Sequence, residues 1–305
     1  MKKIKKLALK IISSQRNRIS LKKYYKVYRK IQNIINPPFK PIYKILDQKI
    51  IKDNREIPVR VFIPKENPLP KLLIFFHGGG WVTGNIDSYT NVCAEMANRT
   101  NHTVISIDYR LAPEYPFPIG LEDCYWATRE IFLNSEKLNF KQDDITLIGD
   151  SAGGNLAAAV SLMARDRGEF LPKRQILIYP STYHDHSDNS PFPSIIENGK
   201  DYILTSKQIQ DYMDLYVKDE KDRLNPYVAP LLAEDLSNQP KTLIITAEFD
   251  PLRDEGEAYG FKLMKFGNDV KVYRIKNALH GFLSNHLDTN HVDELYEIIN
   301  LFLKE

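Results

Sequence analysis

Two hydrophobic patterns alternate along the chain. Seven short segments are almost continuously apolar: VRVFIP (59–64), LLIFF (72–76), TVISID (103–108), ITLIG (145–149), QILIYP (175–180), TLIITA (242–247) and VKVYRI (270–275). Runs of this length predict strands. Most lack the polar alternation of a half-solvated sheet, so both faces are expected to be covered. Between them lie helical stretches at about 86–100, 119–134, 152–166, 254–266 and 291–304. Strand followed by helix, repeated, predicts an α/β fold with a mainly parallel central sheet flanked by helices.

Two regions break the rhythm. Between 181 and 241 only a helix near 206–217 stands out, and the start of the region, STYHDHSDNSPFPS, is loop-like. A compact domain rarely carries so long a gap, so an insertion covering the sheet is expected there. At the beginning of the chain, Ile4, Leu7, Ala8 and Ile11 recur at helical spacing, and Leu21, Tyr24, Tyr25, Tyr28, Ile31 and Ile35 do so again. NPPFKP then stops helix formation, because proline lacks the donor and restricts its predecessor. The expected division is a set of basic helices over 1–54 and a main body over 55–305.

Charge separates the same two parts. Fourteen Lys and Arg precede Asp47 with no acidic residue among them, leaving 28 of the 42 basic residues against 39 acidic ones, a net −11. At 43% hydrophobic over 305 residues the chain can build a sizeable core, which excludes a disordered protein. Cys93 and Cys124 are too few for a disulfide framework and are expected as buried small hydrophobes. The opening MKKIKKLALKIISS has its apolar run broken by Lys10 and no clean cleavage site, so it does not read as a signal peptide. No apolar stretch is long enough to span a bilayer, and a cytoplasmic location is expected. No nucleic-acid partner is expected. The basic arm is read mainly as the solvated face of its helices, with weak contact to anionic membrane surfaces as the other reading.

The candidate chemistry begins at GDSAGG (149–154), which follows the strand ITLIG and opens the apolar helix NLAAAVSLMA. That is the strand–turn–helix context of a nucleophile elbow, with Gly149 and Gly153 in the G-x-S-x-G positions around Ser151. A serine needs an imidazole to take its proton and a carboxylate to hold the imidazole. Asp250, just past TLIITA, and His280, after VKVYRI, stand in the required order. Asp250 before Pro251 also reads as a helix cap, and Glu248, Asp254 and Glu255 compete with it. His102, His184, His186, His286 and His291 compete with His280, but none follows a late strand with a glycine after it. The HDH of 184–186 lacks a further ligand at metal spacing, so no metal or other cofactor is expected.

HGGGW (77–81) directly follows the strand LLIFF. Glycines there let the backbone approach a substrate without a Cβ in the way, so Gly78, Gly79 and Gly80, with Ala152, are the expected oxyanion donors. His77, Trp81 and Asp150 are the expected supporting residues, His77 as an anchor for the loop. DYRLAPEYPFP (108–118) predicts a rigid buttress in which Arg110 pairs with Glu114.

Together, HGGGW, DYRLAPEYPFP, GDSAGGNLA (149–157), DPLRDEG (250–256) and HGF (280–282) resemble the hormone-sensitive-lipase-like family of α/β-hydrolases, the carboxylesterases that are also similar to arylacetamide deacetylases. The resemblance covers about 55–305 in the right order. It implies Ser151, Asp250 and His280 as a catalytic triad, and the glycine loop with Ala152 as an oxyanion hole. It also implies a helical cap built from the N-terminus and part of 181–241. The expected activity is serine carboxylesterase action on short- to medium-chain acyl esters, small-molecule substrates that need no cofactor. An amidase, deacetylase or peptidase would use the same triad, and a non-catalytic receptor would ordinarily lack one of its members.

Overall fold

In LLIFF all five residues are fully buried and form one central strand, Leu72–Phe76. Leu72, Ile74 and Phe76 belong to one apolar cluster, Leu73 and Phe75 to another on the opposite face. Period two is invisible in such a strand because both of its faces are buried. Truncating Phe75 to alanine would cost roughly 3–5 kcal/mol.

The computed structural model describes residues 21–35, 45–52, 55–284 and 288–305. Its strands are β1 (Ile45–Lys52), β2 (Arg55–Phe62), β3 (Leu72–Phe76), β4 (Thr103–Ile107), β5 (Ile145–Asp150), β6 (Arg174–Ile178), β7 (Lys241–Phe249) and β8 (Val270–Leu279). They form one sheet in the order β1-β2-β4-β3-β5-β6-β7-β8. The β1–β2 and β2–β4 pairs are antiparallel and the rest are parallel. Helices α2 (Thr90–Thr100) and α8 (Thr289–Leu303) cover one face, and α3 (Ile119–Leu133), α4 (Ala152–Arg167) and α7 (Arg253–Lys265) the other. No helix among the described residues is long and apolar enough to cross a membrane.

The seven strands read from sequence are present, and β1 is an eighth that the hydrophobic pattern does not announce. Most of its described side chains are exposed, so nothing forces an apolar repeat on it. It is held by a hairpin ladder from Ile45 opposite Phe62 to Lys52 opposite Arg55, and by the Arg60–Asp47 ion pair at 2.6 Å. The sheet thus begins at residue 45, ahead of the boundary expected at 55.

A helix, α1 (Leu21–Ile35), precedes the sheet. The helix expected around 4–11 lies outside the described residues. Between β6 and β7 the described chain holds no strand, only α5 (Pro193–Asn198), α6 (Ser206–Tyr216) and short turns. Thr205 caps α6 reciprocally with Gln208, which fixes where that helix begins. Lys22 of α1 forms an ion pair with Asp214 of α6.

Candidate active site

The parallel strands deliver the candidate residues to one edge. Gly78–Gly80 follow β3, Ser151 follows β5, Asp250 follows β7 and His280 follows β8. That edge, at the carboxyl ends of the strands, is where open α/β sheets place their ligands.

Ser151 sits between β5 and α4 with φ 55° and ψ −120°, a conformation strained for any residue with a Cβ. The turn is tight enough to dictate its neighbours. A Cβ on Gly149 would lie 2.2 Å from the Gly153 carbonyl oxygen, and one on Gly153 would lie 2.0 Å from that of Phe76. The amide of Asn155, one turn into α4, donates to the carbonyls of Ser181 (2.9 Å) and Val228 (2.8 Å).

His280 Nε2 lies 2.9 Å from Ser151 Oγ, and its Nδ1 lies 2.7 Å from Asp250 Oδ2. With the Nδ1 proton donated to the carboxylate, Nε2 is left as a base facing the hydroxyl. Asp250 is fully buried, and its second oxygen accepts the Leu252 N–H at 2.9 Å, so one carboxylate both ties the turn into α7 and holds the imidazole. The competing carboxylates are engaged elsewhere. Glu248 accepts from Asn277 N–H, Asp254 from Ser194 N–H, and Glu255 from Thr182 N–H. Among the other histidines, His102 bonds the Thr100 carbonyl, His186 pairs with Glu255 and His291 with Asp288. His184 packs beside the Tyr183 ring, and His286 lies outside the described residues.

The glycine loop differs from expectation at one position. Gly78 N–H donates to Asp150 Oδ1 at 2.8 Å, so it is not free to receive an oxyanion. Gly79, Gly80 and Ala152 line the cavity beside Ser151, which leaves two of the three expected glycines as candidate donors. Gly79 (φ 116°) and Gly80 (φ 60°) hold left-handed conformations. A Cβ on Gly79 would lie 2.2 Å from the Thr83 carbonyl oxygen, and one on Gly80 would lie 2.3 Å from the Tyr212 ring.

The supporting residues lie behind this loop. Buried His77 donates from Nδ1 to the Gly78 carbonyl at 2.8 Å and stacks on Tyr109 with 4.3 Å between ring centroids. Burial pushes its imidazole down to about 4, so it is neutral. Asp150 accepts from Gly78 and from the hydroxyls of Tyr89 (3.1 Å) and Tyr179 (3.4 Å), and burial raises its carboxyl to about 6. The Tyr179 ring lies 4.7 Å from that of His280. Trp81 stacks on Tyr216 at 4.5 Å.

The second correction concerns the buttress. Arg110 pairs with buried Asp123 at 2.6 Å, while Glu114 is taken by Arg29 of α1 at 2.9 Å. Asp123 stands one helical turn into α3, out of reach of a local reading. Arg29, which the sequence reading passed over, also donates to the carbonyls of Val82 (2.7 Å) and Ala112 (2.8 Å), clipping α1 to the glycine loop and the buttress.

In front of Ser151 lies a cavity of about 360 Å³, with Trp81, Leu204, Ile209, Tyr212, Leu279 and Phe282 among its walls. Among the described residues no three His, Cys, Asp or Glu side chains converge as metal ligands.

Comparison with known proteins agrees with this fold. Residues 73–284 match the family model described as the alpha/beta hydrolase fold. An arylesterase of Saccharolobus solfataricus is 40% identical over 249 residues, covering 81% of this chain and 80% of that protein. An ethyl acetate hydrolase of Pseudomonas putida is 34% identical, covering 76% and 73%. The structure of a hyperthermophilic esterase from Pyrobaculum calidifontis superposes with a TM-score of 0.88 at 35% identity, covering 100% of this chain and 98% of that one.

Proposed function

The chain belongs to the α/β-hydrolase family, in its hormone-sensitive-lipase-like esterase branch, and from that premise we propose that it hydrolyses short- to medium-chain carboxylic esters through an acyl-enzyme. Ser151 Oγ attacks the ester carbonyl while His280 Nε2 takes its proton. The oxyanion is received by the N–H groups of Gly79, Gly80 and Ala152, donors held in place before the charge develops. His280, its positive charge balanced by Asp250, then protonates the leaving alkoxide. Water then adds to the acyl carbon and gives a proton to His280, which returns it to Ser151 Oγ as the acyl–oxygen bond breaks and the acid leaves.

The observation that carries this reading is the hydrogen-bonded chain from Ser151 through His280 to buried Asp250, opening onto a cavity with apolar walls. Helices α1 and α6 are proposed as the two halves of a cap. The Lys22–Asp214 pair and the contacts of Arg29 support that assignment. A panel of para-nitrophenyl esters of increasing chain length, with one matched anilide, tests the function. Turnover of the shorter esters with little of the anilide is expected. Turnover of the anilide alone would replace the esterase reading with an amidase.

A further inference from the structure

Asp288 stands where α8 begins, at the position from which an aspartate ordinarily caps a helix. Its side chain makes no cap hydrogen bond. It lies instead in the wall of the cavity in front of Ser151, on the chain that follows His280, with 13% of the side chain exposed. His291, one turn into α8, places Nδ1 2.6 Å from Asp288 Oδ1. An imidazole there balances the carboxylate only when protonated, so over the neutral form the wall keeps its negative charge.

The remainder of the wall sharpens this. Among the described residues lining the cavity there is no Lys or Arg. The other lining carboxylate, Asp150, is 2% exposed and already accepts from three donors, so it has nothing to offer a substrate. Tyr212 supplies aromatic surface to the same cavity. An aromatic face and one carboxylate in the wall of a single cavity are the chemistry that holds an alkylated ammonium group. His280 hands its proton to the leaving alkoxide, so the alcohol half of an ester leaves on the side of His280, where Leu279, Phe282, Ser284 and Asp288 line the cavity.

We propose that Asp288 is a specificity residue selecting esters whose alcohol half carries an ammonium group. The inference rests on the esterase reading above and names a substrate class within it. A single charge contact of this kind is worth roughly 10-fold in kcat/KM, less at high salt.

The test compares butyrylcholine with its neutral isostere, in which a quaternary carbon replaces the quaternary nitrogen. Both are assayed in the same buffer at the same pH. The readout is the ratio of the two kcat/KM values, which cancels any loss common to both esters. In the unmodified protein a ratio near 10 in favour of the cation is expected, falling as salt is added. In Asp288→Asn, which keeps a residue suited to a helix start, the ratio should drop towards unity. Asp293→Asn, on the same helix but paired with Arg99 at the surface, is the charge-matched control and should leave the ratio alone. A ratio at or below unity in the unmodified protein overturns the inference whether or not the variants fold. So does an unchanged ratio in Asp288→Asn, or an equal fall in Asp293→Asn. If neither ester turns over while para-nitrophenyl butyrate does, the inference alone fails. If para-nitrophenyl butyrate is also untouched, the esterase reading fails with it.

Discussion

Asp150 Oδ1 accepts the N–H of Gly78 at 2.8 Å, joining the residue before the nucleophile to the first glycine of the loop that faces it. One buried carboxylate therefore ties the glycine loop to the turn that carries Ser151. Asp150→Asn keeps an acceptor for Gly78 but brings an N–H group towards the Tyr89 and Tyr179 hydroxyls. We expect kcat to fall by roughly 10-fold, about 1.4 kcal/mol of barrier, with KM nearly unchanged. A rise in KM at constant kcat would place the role of Asp150 in substrate binding.

The same carboxylate leaves a mark on stability. Burial raises it from the usual 3.8 to about 6, so the folded chain holds this proton more tightly than the unfolded chain does. Its contribution favours the fold below about pH 4 and is lost as pH rises through about 6. The difference in Tm between Asp150→Asn and the unmodified protein should therefore shift in favour of the variant across that window and level off above it. A constant difference from pH 4 to 7 would rule out this titration.

Ser151 predicts a separation of activity from stability. Its positive φ is strained for a residue with a Cβ, and the strain is about 1–3 kcal/mol. Ser151→Ala should lose nearly all ester hydrolysis with an unfolding temperature close to the original. Ser151→Gly should be equally inactive and more stable. Thermal unfolding of both, beside an ester assay, checks the pair; a less stable glycine variant would contradict the strain.

Asp250 and Asp254 are distinguishable in the same way. Asp250 touches His280, whereas Asp254 is bound to Arg253 and to the Ser194 N–H. Asp250→Asn should lower kcat by about 10⁴ and Asp254→Asn by less than about tenfold. Comparable losses would mean that another carboxylate orients the imidazole.

Arg29 tests the link between α1 and the glycine loop. Lysine cannot reproduce a guanidinium that reaches the Val82 and Ala112 carbonyls and Glu114 together. Arg29→Lys should cost about 1–3 kcal/mol of stability and alter KM more than kcat. Unchanged stability by chemical denaturation would show that α1 is only resting on the loop.

These contrasts also mark what the sequence reveals. Residues whose neighbours are set by sterics were legible. The Gly149 and Gly153 positions admit no Cβ, and LLIFF admits no polar side chain. What stayed hidden was set by partners distant in sequence. Gly78 looks like Gly79 and Gly80 until Asp150, which is 72 residues away, takes its N–H. Arg110 seems made for Glu114 until α1 and α3 supply better partners. β1 is an edge whose ladder is made by backbone, and backbone has no sequence signature.

One amide has a bearing on the wall of the cavity. Asn155 holds the carbonyls of Ser181 and Val228 side by side against the helix behind Ser151. The intervening loop is therefore stapled at its base, like a handle fixed to a lid. The stretch between Ser181 and Val228 supplies Ile203, Leu204, Gln208, Ile209 and Tyr212 to the cavity wall, so the segment that shapes the cavity is anchored at both ends to the helix behind the nucleophile.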